Sequence, residues 1–159
     1  MAWLQPEKYA STEAYQQLNS ITAIGSGPLY GQGLNNNIVG SVKNGNFISE
    51  AQTDFIFAIA GEELGFVGCC AIIILLFLIV LQCIWIAVRS NDLAGKIIAG
   101  GMAGFIGFQT FINIGVTTLI LPNTGLTLPF VSYGLTSLVT MFLGIGVVLN
   151  VRLQADNFI

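Results

Sequence analysis

The sequence has no histidine and little charge. Five of its 159 residues are lysine or arginine and eight are aspartate or glutamate, a charged fraction of 8%, where a soluble domain has roughly 25%. The absence of histidine excludes Ser-His-Asp and Cys-His catalytic arrangements and most zinc sites. Acid–base chemistry at neutral pH would therefore fall to carboxylates. Because the chain has no basic run, nothing indicates a nucleic-acid partner.

Cysteines and glycines are present without the spacing of a cofactor site. Cys69, Cys70 and Cys83 lie in one apolar run, and three cysteines without metal-ligand spacing argue against a disulfide framework or a zinc site. The stretch "GSGPLYGQG" at residues 25–33 lacks both Rossmann spacing and the ending of a P-loop. We interpret it as a tight extracytoplasmic loop, with a backbone cradle for phosphate or sugar as the alternative.

Hydrophobic residues make up 54% of the chain and are concentrated in long runs. The run from Val67 to Val88 has Gln82 as its one fully polar side chain, and at 1.5 Å per residue it crosses a hydrocarbon core of about 30 Å. Two further runs, at about 97–120 and 135–151, also fall within the length range of a spanning helix. We therefore predict an all-α integral membrane protein with three transmembrane helices.

The second span carries small and amide side chains at helical spacing. Gly100 and Gly104 form a GxxxG pair, which allows another helix to approach closely. Gln109 and Asn113, four residues apart, share a face. Because amides are costly toward lipid, we expect that face to look into a bundle or a polar cavity.

The basic residues predict the orientation. Arg89 and Lys96 in one short turn and Arg152 after the third span are expected in the cytoplasm, because the connection between the second and third spans has no lysine or arginine. The resulting segments are an extracytoplasmic loop with a short interfacial helix (1–52), an interfacial or re-entrant acidic helix (53–66), transmembrane helices (67–88, 97–120 and 135–151), a cytoplasmic turn (89–96), an extracytoplasmic re-entrant loop (121–134) and a cytoplasmic tail (152–159).

Half of the carboxylates lie directly before the first span, in "SEAQTDFIFAIAGEELG" at residues 49–65. If a helix covers this stretch, Glu50, Asp54, Ala58 and Glu62 lie on one stripe at four-residue steps. Such a stripe could bind a cation or bring one carboxylate beside a reacting hydroxyl. The plainer alternative is that Asp54 caps a helix or is a solvated first-turn acid, and that Glu62 and Glu63 form a solvated interfacial pair.

The stretch "LPNTGLTLPFVSYG" at residues 121–134 connects the second and third spans. Pro122 and Pro129 break helices, and Gly125 and Gly134 permit tight turns. Its apolar residues keep it in or near the membrane, where irregular backbone survives only against protein or a wet cavity. We expect this loop to line the cavity that the carboxylates border.

Several of these motifs, in this order, resemble one family. "AQTDFIFAIAGEELGFVG" before a long span, then "FINIGVTTLILPNTGLTLPFVSYG" and a last helix, are similar to the C-terminal portion of the SEDS proteins (shape, elongation, division and sporulation), the RodA, FtsW and SpoVE family. The upstream "AIGSGPLYGQG" resembles that family's glycine-rich extracytoplasmic loop. The resemblance covers residues 15–152, nearly the whole chain.

The resemblance implies a fold and an activity. SEDS proteins are enzymes of roughly ten helices in the bacterial cytoplasmic membrane. They polymerise the lipid-linked precursor lipid II into the glycan strands of peptidoglycan, together with a class B penicillin-binding transpeptidase and elongation or division proteins. By resemblance, this chain matches the last three helices, and its expected partners are lipid II, the nascent strand, that transpeptidase and membrane lipid.

The resemblance also implies roles for residues. The family's essential aspartate lies in a Thr/Ser-Asp-Phe motif that matches Asp54, which would act as the general base toward the attacking sugar hydroxyl. The diphosphate leaving group is already anionic, and a divalent cation, Mg²⁺ or Mn²⁺, is a candidate cofactor. Supporting or substrate-binding roles are expected for Glu50, Glu62, Glu63, Gln109, Asn113, Ser132 and Tyr133.

The chain departs from the family pattern in places. It has Ser49-Glu50 where most members have Pro-Glu, Gly31-Gln32-Gly33 for Gly-Lys-Gly, and Gly134-Leu135 for a pair of glycines. Most of the family's helices are also absent. Because a carboxylate without its substrate-positioning surroundings loses much of its catalytic effect, we expect the isolated chain to be an inactive portion that carries the aspartate.

Two other functions stay open at this point. A transporter of lipid-linked precursors would use the same polar cavity and would need Asp54 for movement across the bilayer. A non-catalytic membrane scaffold of the cell-wall machinery would depend instead on the GxxxG face. The substitution Asp54→Asn separates an enzyme from a scaffold, and Gly104→Leu does the reverse.

Overall fold

The computed structural model describes residues 13–33 and 53–156, which form four α-helices. The helices are α1 (Glu13–Ser26), α2 (Ile56–Arg89), α3 (Leu93–Thr117) and α4 (Leu135–Asp156). By length and composition, α2, α3 and α4 are each able to cross a membrane. These helices confirm the predicted all-α fold with three membrane-spanning helices.

Large apolar side chains cover the outside of the three long helices. Leu75, Phe108 and Phe142, for example, are 61%, 73% and 65% exposed. Contiguous apolar surface of this kind is unfavourable in water, whereas lipid tails are as apolar as the side chains themselves. The helices are therefore suited to a surrounding of lipid and of other helices.

The predicted acidic helix at 53–66 begins later than expected. Residues 53–55 form a turn, and α2 begins at Ile56 without a side-chain cap. The same helix then continues into the first span, interrupted at Gly65, where φ is 68° and ψ is −165°. Only glycine adopts this backbone conformation readily.

The break at Gly65 frees backbone groups that a second segment binds. This segment is residues 27–33, which we call the glycine loop. In an unbroken helix, the N–H groups of Phe66 and Val67 would bind the carbonyls four residues earlier. Instead, the loop provides partners for all four groups, through bonds from Gln32 N to Glu62 O (2.9 Å), Gly33 N to Glu63 O (3.1 Å), Phe66 N to Pro28 O (3.3 Å) and Val67 N to Leu29 O (3.2 Å).

The predicted cytoplasmic turn at 89–96 is shorter in the structure. Asp92 accepts a hydrogen bond from the backbone N–H of Gly95 at 3.4 Å and so caps the N-terminus of α3. The helix therefore begins at Leu93, and the turn is reduced to residues 90–92.

The second span ends at Thr117, before the predicted residue 120. A Schellman motif closes it, in which the N–H of Leu119 donates to Val116 O at 3.2 Å and the N–H of Ile120 donates to Gly115 O at 2.8 Å. Leu119 has a φ of 61°, at a position where glycine is the usual residue. The sequence analysis bounded this span by its apolar run, and so placed the end about three residues later than the structure does.

The helix of the third span extends beyond the predicted residue 151, because α4 continues to Asp156. Arg152 lies over the ring of Trp85 at 4.7 Å, which holds the last turns of α4 against α2. The predicted cytoplasmic tail is therefore helical as far as residue 156.

Within the described part of the chain, three buried clusters hold the helices together. One joins α1 to α2 and α3, one joins α2, α3 and α4, and one joins α2 to the 121–134 loop. Their buried members are, in the same order, Ala23, Phe55, Ala58 and Val116; Cys83, Ile86, Ala99, Ala103 and Val148; and Phe57, Cys69, Leu76 and Leu128. The end of the bundle with the first and third clusters is called the Asp54 end, and the end with the second cluster is called the Trp85 end.

The predicted GxxxG interface is not used within residues 13–33 and 53–156. A Cβ added to Gly100 or Gly104 would meet nothing within 4 Å. Ala103, which lies on a different face of α3, is 3% exposed and belongs to the cluster at the Trp85 end. The small residues therefore leave an open surface on α3.

Candidate functional site

Asp54 lies in the turn directly before α2, and its side chain is partly buried. The carboxylate oxygen Oδ2 faces Gly125 in the loop between α3 and α4, where an added Cβ would lie 3.6 Å from it. Gly125 has a φ of 64°, which favours glycine. The carboxylate therefore lies at the junction between the start of α2 and the 121–134 loop.

Asn113 of α3 holds the backbone on both sides of this junction. Its Nδ2 donates hydrogen bonds to the carbonyl of Asp54 at 2.8 Å and to the carbonyl of Leu126 at 2.6 Å. Asn113 is 1% exposed, so its amide is shielded from solvent, and a buried carbonyl that lost this donor would cost about 1–3 kcal/mol. This one side chain joins α3, the turn before α2 and the loop.

Ser132 makes a second connection between the turn and the loop. Its hydroxyl donates to the carbonyl of Thr53 at 2.6 Å and accepts from the N–H of Leu128 at 2.7 Å. Ser132 is buried as well. Two consecutive carbonyls, those of Thr53 and Asp54, are thus held by side chains from α3 and from the loop.

Gln109 lies one turn before Asn113 and contacts the loop rather than the aspartate. Its Nε2 donates to the carbonyl of Thr127 at 3.0 Å and to its hydroxyl at 3.2 Å. That hydroxyl lies 2.9 Å from the hydroxyl of Ser137 on α4. The polar face of α3 therefore packs on the loop and links α3 to α4.

α1 is attached to the same end of the bundle by two residues that the sequence analysis did not single out. Gln17 Nε2 donates to the carbonyls of Val116 and Leu121, at 3.3 and 3.0 Å, and the hydroxyl of Ser20 donates to the carbonyl of Thr117 at 2.9 Å. These carbonyls lie at or just beyond the C-terminal end of α3, where the regular helical hydrogen bonds run out. The sequence signal that could have identified Gln17 and Ser20 is their three-residue spacing, which puts both on one face of a helix.

Three uncharged side-chain oxygens at the Asp54 end are buried without a hydrogen-bond donor among the described residues: Gln109 Oε1, Thr110 Oγ1 and Asn113 Oδ1. Buried acceptors of this kind cost free energy, and native proteins rarely keep them without a reason. A ligand with hydroxyl or amide groups could supply the missing donors.

The other predicted acids lie away from Asp54. Glu62 is 3% exposed and lies in the second turn of α2, whereas Asp54 precedes the helix. The backbone carbonyls of Glu62 and Glu63 bind the glycine loop. Tyr133 is 78% exposed, and Glu50 lies outside the described residues.

The described residues do not form a metal site by themselves. Within residues 13–33 and 53–156, no three cysteine, aspartate or glutamate side chains are gathered where they could hold an ion. Mg²⁺ is usually held by one or two carboxylates together with substrate phosphates, so Asp54 alone does not supply a complete set of ligands. The Mg²⁺ or Mn²⁺ cofactor stays a prediction.

The arrangement is suited to proton transfer at a membrane boundary. A partly buried carboxylate between apolar helices and a polar loop can accept a proton from a hydroxyl group. Two non-glycine residues with positive φ, Leu119 and Phe130, flank or lie in the loop, and strained backbone of this kind concentrates at functional sites. Fold and site together define a multi-pass membrane protein with a candidate general base at one end of its helical bundle.

The comparisons with known proteins identify the family. The sequence profile of the cell cycle protein family of FtsW, RodA and SpoVE matches residues 1–157. The chain belongs to this family.

Relatives and a solved structure agree with this assignment. The chain is 42% identical over 150 residues to stage V sporulation protein E of Bacillus subtilis, covering 94% of this chain and 40% of the relative. It is 38% identical over 152 residues to the peptidoglycan glycosyltransferase MrdB of Escherichia coli, covering 96% and 40%. A structure described as the structural coordination of polymerization and crosslinking by a peptidoglycan synthase complex has a TM-score of 0.76 and 29% identity, covering 97% of this chain and 40% of that one. The chain thus spans about 40% of the length of these relatives.

Proposed function

We propose that this chain carries the catalytic aspartate of a peptidoglycan glycosyltransferase, which polymerises lipid II into glycan strands. The observation that carries the proposal is the geometry of Asp54, whose carbonyl is held by the buried Asn113 and whose carboxylate faces Gly125. Membership of the family supports it, as does the printed activity of relatives such as MrdB.

In the proposed reaction, Asp54 is the general base. It takes the proton of an acceptor sugar hydroxyl as that oxygen forms a bond to the anomeric carbon of the donor. The bond from this carbon to the diphosphate oxygen breaks, and its electron pair leaves with the polyprenyl diphosphate. The carboxylate ends protonated and returns the proton to water.

Asn113 and Ser132 act in this proposal as positioning residues. Each binds a backbone carbonyl in the turn that carries the carboxylate, at 2.8 and 2.6 Å. Because catalysis depends on holding the base within reach of the hydroxyl, a shift of about 1 Å could cost on the order of a hundredfold in rate. Gln109 positions the loop, and Tyr133, as an exposed side chain beside it, is a candidate for substrate contact.

The partners and topology of the proposed enzyme follow from the family. We expect a transpeptidase partner, because the similar solved structure is described as a complex for polymerization and crosslinking. The Asp54 end is expected outside the cytoplasm and the Trp85 end, with Arg89, Lys96 and Arg152, inside it. A divalent cation, if required, would be bound mainly by the diphosphate of the substrate.

A chimaera provides the test. The matching 152 residues of MrdB would be replaced by this segment, and strand formation from purified lipid II would be measured for the native segment and for Asp54→Asn. The control is Asp92→Asn, the same chemical change at the cap of α3, where asparagine also caps well. We expect Asp54→Asn to lower the rate by roughly 10²–10⁴-fold and Asp92→Asn to leave it nearly unchanged.

The result that would contradict the proposal is strand formation by Asp54→Asn at the rate of the native segment, with both proteins folded by size exclusion in detergent. Loss of lipid II movement across vesicles with polymerisation intact would instead favour the transporter. Loss of complex assembly without any loss of rate would favour the scaffold.

A further inference from the structure

The Trp85 end carries a positively charged feature that the glycosyl transfer does not use. The guanidinium carbon of Arg89 lies 4.4 Å from the centre of the Trp85 ring, and that of Arg152 lies 4.7 Å from it. Attraction to the ring offsets part of the repulsion between two like charges. The tryptophan thus holds two cations from different helices, α2 and α4, at one point of the surface.

An apolar groove begins at the same tryptophan. It has a volume of about 420 Å³ and is lined by Leu78, Leu81, Gln82 and Trp85. These residues share one face of α2, and the groove extends from Trp85 toward the middle of the helix over about 10 Å. Leu78 and Leu81 are 49% and 43% exposed, so the groove opens on the apolar surface of the bundle.

Among the described side chains of this end, positive charge prevails, because the bases Arg89, Lys96 and Arg152 outnumber the acid Asp92. Asp92 is moreover engaged in capping α3. An anion that approached the Trp85 ring would therefore meet an attractive field.

We propose that the Trp85 end binds an anionic phospholipid. The phosphate lies against Arg89 and Arg152, and one acyl chain lies in the groove along Leu78 and Leu81. Guanidinium groups bind phosphate through paired N–H donors, and tryptophan rings favour the headgroup level of a bilayer. A soluble anion fits less well, because the groove beside the cations is apolar and opens toward lipid.

The test uses the tryptophan itself as the reporter. The chain has two tryptophans, so Trp3→Phe leaves Trp85 as the only one. The protein is reconstituted in bilayers of phosphatidylcholine that contain either brominated phosphatidylcholine or brominated phosphatidylglycerol, since bromine on the acyl chain quenches indole fluorescence on contact. Quenching against bromolipid fraction yields the relative binding constant of the two lipids.

We expect brominated phosphatidylglycerol to be preferred at least roughly fivefold, a contribution typical of one arginine at a lipid surface. Arg89→Gln with Arg152→Gln should reduce the ratio to about one, whereas the control Lys96→Gln, a base at the same end outside the ring contact, should keep most of it. Arg89→Lys with Arg152→Lys retains the charge and should keep part of the preference, which separates lost charge from misfolding.

Other occupants have distinct signatures. Equal quenching by the two lipids with both arginines present overturns the proposal. Absence of quenching by either lipid also overturns it, because Trp85 would then be covered by protein, such as a second copy of the chain. A preference abolished by inorganic phosphate, but not by chloride of equal ionic strength, would replace the lipid with a soluble anion.

Discussion

Glycines bring backbone segments together at the Asp54 end, whereas those in the middle of α3 leave a surface open. At the Asp54 end, a Cβ on Gly27, Gly31 or Gly65 would collide with backbone atoms of the facing segment. Along α3, toward the Trp85 end, a Cβ on Gly100 or Gly104 would meet nothing within 4 Å. The first group brings two backbone segments into hydrogen-bonding contact, and the second leaves a surface open.

The two ends also provide partners for their backbone polar groups in different ways. At the Asp54 end the backbone is irregular, and side chains such as Asn113 and Ser132 bind the carbonyls that regular helices would have paired. At the Trp85 end the helices are regular and pack through apolar residues such as Ile86 and Val148. Rigid irregular backbone at one end is what a positioned catalytic group needs, whereas regular helices are sufficient for spanning a membrane.

The largest effect is expected for Gly65→Ala. Alanine is strained at a φ of 68° and ψ of −165°, and its Cβ would collide with Gly31 N and the carbonyl of Pro28. We expect a loss of about 3 kcal/mol or more in the free energy of unfolding. Thermal unfolding in detergent, followed by circular dichroism, measures it. A midpoint unchanged from the native protein would mean that the glycine loop does not hold this break.

Asn113→Ala should have the next largest effect. It leaves the carbonyls of Asp54 and Leu126 without their donor, at a cost of about 1–3 kcal/mol each, and lowers strand formation by the chimaera by roughly 10–100-fold. Gln109→Ala is the control, because it removes a similar amide that binds Thr127 instead. If both variants lose the same activity, the bond to Asp54 has no special role.

Ser132→Ala removes one donor and one acceptor of the turn–loop contact. We expect a loss of about 1–3 kcal/mol in unfolding free energy. The control is Thr140→Ala, because the Thr140 hydroxyl donates to a carbonyl of its own helix at an exposed position. Equal unfolding midpoints for the two variants would mean that the hydrogen bonds of Ser132 contribute little to stability.

Gly104→Ala should have the smallest effect and the opposite sign. With nothing within 4 Å of the added Cβ, the substitution should stabilise α3 by about 0.5–1 kcal/mol, as alanine does in a helix interior. The same unfolding assay applies. A clear destabilisation would reveal a close contact on this face and weaken the contrast between the two ends.

The elements that could be predicted from the sequence are those that depend on local composition. The run from Val67 to Val88 predicts a span because crossing a bilayer requires only length and apolarity. The break at Gly65 could not be predicted, because Gly68 in the same helix looks alike and the difference lies in a partner segment 27–33 far upstream. The end of α3 at Thr117 was also missed, since the left-handed residue that closes it, Leu119, is not a glycine.

Several residues of the candidate site could be predicted from the sequence, but the contacts between them could not. The four-residue spacing of Gln109 and Asn113 predicted a shared polar face, and both side chains donate to the 121–134 loop. The bond from Asn113 to Asp54 joins residues 59 apart, which no local pattern encodes. The same holds for Gln17, whose partners Val116 and Leu121 lie at the far end of α3.

A double-mutant cycle on strand formation by the chimaera, with Asp54→Asn and Asn113→Ala alone and together, shows whether Asn113 acts through Asp54. If Asn113 acts by positioning the carboxylate of Asp54, its removal should matter little once that carboxylate is gone. The double variant is therefore expected to form strands at the rate of Asp54→Asn. Multiplied losses in the double variant would contradict it, because Asn113 would then act on the substrate independently of Asp54.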